Sequence, residues 1–406
     1  MPVYQFPAHL PAGVSAAAQT MPGVYLSPRT VSVEIAPPRT GTPVFLGVGG
    51  IERATCLDGR SDIEKTLAKA TGLAAYAIRG FFANGGQRCY LLPARGDGAE
   101  GVGESDLAEL EQLDDFDLVC APDMAALLPP EQLARAHKRI LKWCAQDGLR
   151  FAILDGPRTS DQLDNYRKSL ARELRGEPSG VASFGAGYYP WLNVARSRPL
   201  SASAEAAGAG QVLVPPSGHV AGIYSRSDRN NGIWAAPAND VVVGVLALDG
   251  VGSGAGDPQA ASAANFNGLR SFRKRGIRVW GARTLSDDPS LVYITARRLL
   301  QAVARRLEQV LAPVVFEPNS PLLWARVNRI VSTQLDALYR SGALAGATAE
   351  DAYFVRCDGD TNSPQARAQG QVVAEAGIAA VAPAEFISID IRIGDNQLAV
   401  SQQVGG

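Results

Sequence analysis

Three histidines, His9, His137 and His219, are all the imidazole in this sequence, and none has metal-ligand spacing to another. Ser217, His219 and the distant Asp155 are the one set whose types could act as nucleophile, base and orienter. Ser217 sits in Pro215-Pro216-Ser217-Gly218-His219 without the strand-to-helix elbow that presents a nucleophile, so the segment reads as a rigid loop. Glycines at 47, 49 and 50 and from 250 to 256 read as turns, because neither run has the spacing of a dinucleotide loop, and no Walker-type phosphate loop occurs. Cys56, Cys89, Cys120, Cys144 and Cys357 are odd in number and form no CxxC hook, and read as reduced, buried thiols. The expectation is no catalytic residue, no metal and no cofactor.

Charge is the other possible chemistry. The 406 residues carry 39 Lys+Arg against 40 Asp+Glu, so no global field draws the chain to nucleic acid or an anionic membrane. Locally, Arg270, Arg273, Lys274, Arg275, Arg278, Arg283, Arg297, Arg298, Arg305 and Arg306 face only Asp287 and Asp288. This stretch reads first as a solvated face, then as a site for an acidic protein, then as one for nucleic acid, since Phe272 and Trp280 are available for stacking but no nucleic-acid module is recognisable.

The elements that would position these groups follow from periodicity. Residues 1–30 read as an extended arm, and Val31, Val33 and Ile35 alternate with polar residues as one half-buried strand ended by Pro37 and Pro38. Val44 to Val48 is a core strand. Ser61 with Glu64 forms a capping box opening a helix that stops near Gly72, and a second helix runs toward Phe82. A strand follows at Cys89 to Leu92, and a glycine-rich loop at 96–103. Leu118 to Cys120, a helix over Glu131 to Gln146 and Phe151 to Leu154 make strand, helix and strand, hence a parallel α/β sheet.

Gln162 to Arg175 reads as a helix, and Val241 to Leu248 as a buried strand or short helix. Asp288-Pro289 and Ser320-Pro321 are helix starts, with a strand at Val314 to Phe316 between the two helices. The second helix stops at Gly342 and leaves Arg326, Arg329, Asp336 and Arg340 off its apolar stripe. Ile387, Ile389, Ile391 and Ile393 alternate without error, a strand with one dry face, followed by a polar tail from Gly394. Isolated strands at both ends suit edge pairing between chains. Met1 to Ala18 has neither the basic region nor the apolar run of a signal peptide, so the expectation is a soluble chain made in the cytoplasm.

In sequence order, Pro22 to Tyr25, Phe81 to Gly86, Phe151 to Pro157, Tyr188 to Trp191, Val214 to Gly222, Trp234 to Asn239, Gly276 to Leu285, and Phe316 to Asn319 with Leu323-Trp324 resemble the contractile tail sheath proteins of bacteriophages, tailocins and injection systems. The resemblance implies α/β plus α+β: an N-terminal arm with linker strand (1–43), a subtilisin-like α/β domain without a protease triad (44–262), a tube-facing C-terminal α+β sheath domain (263–394) and a C-terminal arm (395–406). It implies a structural subunit, not an enzyme, assembled in the bacterial cytoplasm as stacked homo-hexameric rings around an inner tube. Such a sheath contracts without nucleotide to drive the tube through an envelope, as part of a phage tail or of a released or anchored particle. Its partners would be itself, the tube protein, baseplate and tail-terminator proteins, with no nucleic acid and no membrane insertion. Val31, Val33, Ile35, Ile387, Ile389, Ile391 and Ile393 would form inter-subunit strands, and Arg326, Arg329 and Arg340 would face the tube. The alternatives are a soluble α/β hydrolase-like enzyme, or a nucleic-acid-binding protein using Arg270 to Arg306.

Overall fold

The computed structural model describes residues 39–59, 63–93, 103–113, 115–178, 180–196, 210–249, 266–315, 317–380, 387–394 and 397–404. The arm, the strand at Val31, Val33 and Ile35, Ser61 of the expected capping box, most of the 96–103 loop, the 250–256 glycines and Phe316 lie outside them.

The first unit is built from β1 (Pro43–Val48), β2 (Thr55–Asp58), α1 (Ile63–Leu67), α2 (Ala74–Ala83), β3 (Arg88–Pro93), α3 (Glu104–Leu110), β4 (Leu118–Cys120), α4 (Pro122–Leu127) and α5 (Pro130–Asp147). It continues through β5 (Phe151–Asp155), α6 (Ser160–Glu173), β6 (Gly185–Tyr189), β7 (Leu192–Ala195), β8 (Gln211–Val214), α7 (Ser217–Asn231), β9 (Val245–Leu248), β10 (Phe266–Phe272) and β11 (Gly276–Trp280). Eight strands form one sheet in the order β11-β10-β6-β5-β4-β1-β3-β2, and β8-β7-β9 form a small antiparallel sheet. The six inner strands pair in parallel; only the edges β2 and β11 run antiparallel to their neighbours.

A parallel sheet is covered on both faces, which is why its strands read as unbroken apolar runs. Val44, Val119, Ala152 and Leu154 pack toward α5 and α6, while Phe45, Leu118, Phe151 and Ile153 pack toward α2 and α7. Glycine permits the close approach of α2 and α7: a Cβ on Gly218 would lie 2.2 Å from the Ala77 carbonyl oxygen, and one on Gly80 2.3 Å from the His219 ring. The hairpin of β10 and β11, C-terminal to the expected boundary at residue 263, is hydrogen-bonded to β6 and lies in the first sheet.

The second unit comprises α8 (Ile294–Leu311), α9 (Pro321–Arg340), α10 (Ala349–Ala352), β12 (Tyr353–Arg356), α11 (Pro364–Ala368), β13 (Val372–Ile378), β14 (Ile387–Gly394) and β15 (Gln397–Val404). Its sheet runs β12-β13-β14-β15, antiparallel throughout. Leu299, Val303, Leu307, Val327, Val331, Leu335, Ala374 and Ala376 form its core.

Four local expectations are corrected here. Asp288 does not cap α8, which starts at Ile294; its Oδ1 instead accepts from the Ser290 N–H (2.9 Å) and hydroxyl (2.6 Å), closing a turn that spends the oxygen a cap would need. The chain at Ala312–Val314 is a 3-10 turn, not a strand, because Pro313 suits a helical first turn. Of Val241 to Leu248, only Val245–Leu248 is a strand. The tail after Gly394 contains β15, which runs the length of β14, so β14 is an inner strand and not an isolated one. By contrast, Ser320 caps α9 by accepting from the Leu323 N–H at 3.4 Å, and Gly342, at φ +79°, ends it.

Candidate functional site

The residues with catalytic potential are brought together, but sealed. The segment at Ser217 is the first turn of α7 rather than a loop, and β8 precedes it, so the strand-to-helix context is present. Asp155, at the end of β5, accepts from the Ser217 backbone N–H at 2.7 Å and so satisfies a helix N-terminus. Asp155, Ser217 and His219 are 1%, 0% and 2% exposed, which leaves a substrate no approach. Among the described residues no hydrogen bond joins His219 to either of the others, and a base that is not aligned with its nucleophile is not a triad. The cluster is structural.

Its electrostatics give a measurable signature. Burial pushes the Asp155 carboxyl up to about 7, partly offset by its bonds from Ser217. Burial lowers His219 to about 4 and His137, whose Nδ1 lies 2.7 Å from the Tyr166 hydroxyl, to about 3. The folded-state pKa of Asp155 exceeds the unfolded value of about 4, so its contribution to stability is full below pH 4 and is lost as pH rises to 7. The two histidines act oppositely: they are neutral when folded and protonated when unfolded below about pH 6.5, so they add stability as pH rises toward that value. Asp155→Asn keeps an oxygen for the Ser217 N–H and removes a titration. It is expected to match the parent near pH 4 and exceed it by about 1–3 kcal/mol at pH 8, read from urea midpoints at both pH values.

The basic stretch divides in two, which corrects the reading of a single solvated face. Of its second half, on α8, Arg297, Arg298 and Arg305 are buried, and Arg306, half-buried, donates to Gln334 Oε1 at 2.8 Å. Arg298, 2% exposed, donates to both oxygens of Asp228 (2.8 and 2.6 Å) and to Asp117 Oδ2 (3.0 Å), with its guanidinium 4.7 Å from the Tyr224 ring centre. Asp117 also accepts from the Gly41 and Thr42 N–H groups at 3.0 and 2.7 Å. Burial works against the Arg298 charge, but Asp228 and Asp117 outweigh it and raise its pKa. Arg305 donates to the carbonyls of Phe116 (3.2 Å) and Arg39 (2.6 Å), and Gln301 to that of Arg150 (2.6 Å). Arg297 donates to the Ser183 hydroxyl and lies 4.1 Å from the Phe184 ring centre; burial lowers its pKa to about 9. Thus α8 gives one face to the second core and fastens its other face to the first unit through a polar row.

The first half stays at the surface, on the β10–β11 hairpin. Arg273, Lys274, Arg275 and Arg283 are exposed, and Arg270 and Arg278, half-buried, are cross-strand partners. Trp280 is 40% exposed and packs against Phe272, the ring centres 4.8 Å apart and the planes tilted by 54°.

On α9, Arg326 is ion-paired with Glu317, Arg340 with Asp336 at 2.8 Å, and Arg329 is exposed. Ile387, Ile389, Ile391 and Ile393 lie on β14, with register partners Ile378, Ala376, Ala374 and Val372 on β13. Sequence reading missed their second set of partners, Val404, Gln402, Val400 and Leu398 on β15. Two residues, Asp395-Asn396, separate the register partners Gly394 and Gln397; a two-residue spacer of those types was the available hairpin signal.

The described residues thus form a doubly covered α/β sheet with an attached α+β unit, the polar cluster at Ser217 is buried, and no cluster of metal-ligand residues occurs among them. Residues 286–394 match the phage tail sheath C-terminal domain family. A protein of Pseudomonas aeruginosa (strain UCBPP-PA14) named as a prophage major tail sheath protein is 28% identical over 268 residues, 63% of this chain and 62% of that protein. The match therefore spans less than two thirds of that relative. Among solved structures, the sheath of the extracellular contractile injection system PVC in its contracted state is 28% identical over 90% of this chain and 96% of that one, with a TM-score of 0.69. The contracted helical sheath of the anti-feeding prophage is 29% identical over 90% and 97%, with a TM-score of 0.64. Residues 286–394 thus match the C-terminal domain of that family, and the chain as a whole is similar to structural sheath proteins of phage tails and contractile injection systems, not to enzymes.

Proposed function

We propose that this chain polymerises with copies of itself into stacked hexameric rings around an inner tube, and that the sheath contracts without nucleotide to drive the tube through an envelope. The observation that carries the reading is the likeness, over nine tenths of the chain, to a sheath subunit seen in the contracted state. The partners in this reading are the tube protein and the baseplate and tail-terminator proteins, and assembly takes place in the bacterial cytoplasm. Its first unit is a subtilisin-like α/β domain whose Asp155, Ser217 and His219 serve packing, and its second is the tube-facing sheath domain, with arms at 1–43 and 395–406.

Val31, Val33 and Ile35 and the strand at Ile387, Ile389, Ile391 and Ile393 link subunits. For β14 and β15 this means exchange: the hairpin that closes on its own β13 in the single chain can close on a neighbour's β13 with the same bonds, a low-cost route to assembly. Each backbone bond adds about 0.5–1.5 kcal/mol net, so one exchanged strand is weak and repetition around every ring gives the mesh its strength. Electron microscopy of the purified protein is expected to show hollow tubes; monomers alone at high concentration overturn the reading.

Arg326, Arg329 and Arg340 on α9 meet an acidic tube surface. Exposed ion pairs contribute about 0–1 kcal/mol each, so this contact also depends on repetition. Arg326→Glu with Arg329→Glu is expected to leave sheath-only tubes intact and to abolish extended sheath around the tube. An unchanged yield of complete particles excludes α9 as the contact. No observation favours a hydrolase-like enzyme or a nucleic-acid-binding protein.

A further inference from the structure

The β10–β11 hairpin carries charge that the described chain does not balance. Arg270, Arg273, Lys274, Arg275, Arg278 and Arg283 make no ion pair among the described residues, and the buried Nε of Arg270 has no hydrogen-bond partner. Arg270 lies directly across from Arg278, a like-charge pairing that destabilises a hairpin. Two of these side chains are nonetheless held in place by uncharged partners. Arg278 donates to the Asn239 and Arg275 carbonyls, and Arg275 to Asn239 Oδ1 at 3.4 Å, with its guanidinium 5.6 Å from the Phe272 ring centre. A cationic strip without ion pairs among the described residues, around a half-exposed aromatic pair, is suited to a partner that supplies carboxylates.

One surface of this same chain has the opposite character. On the outer face of the second sheet Arg356 is outnumbered by carboxylates: Asp358 (3.1 Å) and Asp360 (2.7 Å) bind it, and Glu375 is its register partner on β13. Phe354, 42% exposed, lies two residues before it with its ring over Gly377. Acid surrounding an exposed aromatic complements base surrounding an exposed aromatic. Among the described residues no hydrogen bond or ion pair joins the two surfaces within one chain.

We infer that the β10–β11 hairpin of one subunit docks on the Asp358, Asp360 and Glu375 face of a second copy of this chain. The inference rests on the reading of the chain as a self-assembling sheath subunit and names one of its contacts. A contact between two different patches is heterologous, so it leaves a free patch at each end for the next copy and builds a ring where its rotation closes or a helix where it does not. Nucleic acid is the less suitable occupant, because the Phe272 and Trp280 rings pack against each other at a 54° tilt and do not form a common flat platform for a base.

Charge exchange tests the contact. One variant carries Arg273→Glu and Lys274→Glu; the other carries Asp360→Lys and Glu375→Lys, sparing Asp358, which accepts from the Asp360 and Thr361 N–H groups. Each variant is expected to keep the parent's melting temperature and circular dichroism, yet to need at least about tenfold more protein to form tubes, since juxtaposed like charges oppose docking. An equimolar mixture places acid against base at every contact and is expected to assemble as the parent does.

Variants that assemble normally alone, or a mixture that does not recover, overturn the contact while parental tubes still stand. If the parent forms no tubes, the sheath reading fails separately, and sedimentation velocity of the mixture at low salt decides the contact. Complexes between the two variants and none within either support it; their absence overturns it. Loss of oligonucleotide binding by the first variant, without association in the mixture, reassigns the hairpin to nucleic acid.

Discussion

Asp228→Ala is expected to destabilise the chain by about 3–5 kcal/mol and to lower the urea midpoint of the first unit and of α8 together. Removing this carboxylate leaves Arg298, 2% exposed, with Asp117 as its one charged partner among the described residues. A buried guanidinium without its counter-charge is far costlier than the pair is beneficial. The loss is not confined to one element, because Arg298 reaches from α8 to Asp228 on α7 and to Asp117 before β4. Replacing both members, Arg298→Met with Asp228→Leu, removes the charge and its requirement at once. That chain is expected to recover most of the loss, since Asp117 keeps its bonds from Gly41 and Thr42. If Asp228→Ala costs less than about 1 kcal/mol, within the range of an exposed pair, the network is not the junction between the units.

What could be read before folding depended on whether an element has one environment or two. The strands at Val44, Leu118 and Phe151 are buried on both faces, so apolar runs disclosed them, and α5 gave a clean amphipathic stripe. The α8 arginines could not be read the same way. Arg297, Gln301 and Arg305 recur every four residues beside the apolar stripe, a pattern that fits a solvated face and a polar seam between two units equally well. Only the tertiary partners Asp228, Phe116 and Ser183, remote in sequence, decide between them. Likewise, Asp288 offers the same oxygen to an N-cap and to a turn, and Pro289 is compatible with both.

Strand pairing has the same limit. The isoleucine alternation of β14 stated a strand with one dry face, whereas in β15 the alternation of Leu398, Val400 and Val404 is broken at Gln402 and diluted by Gln397, Ser401 and Gln403, so the segment reads as a polar tail. Propensity describes how a side chain fits a half-buried pleat; it does not say whose edge the strand joins. The N-terminal strand at Val31, Val33 and Ile35 lies outside the described residues, so the arm question rests on the C-terminal hairpin.

That question has a covalent readout. Val373 and Arg392 are register partners across β13 and β14, and directly opposed antiparallel residues stand about 4.5–5.5 Å apart, within disulfide range. In the single chain, Val373→Cys with Arg392→Cys is expected to close an internal loop on oxidation, leaving monomer on a non-reducing gel. If hairpins are exchanged in assembled tubes, the same pair lies between chains. Oxidation after assembly is then expected to give a ladder of linked subunits rising to a closed ring. Cys56, the one native cysteine that is not buried, provides the control: the parent should show no ladder under the same conditions. Monomer from both samples means β14 stays on its own chain and the linkage lies elsewhere. A ladder only after assembly means exchange, in which the eight paired positions of β14 and β15 travel together as one unit and no backbone bond of the closed subunit is lost on joining the lattice.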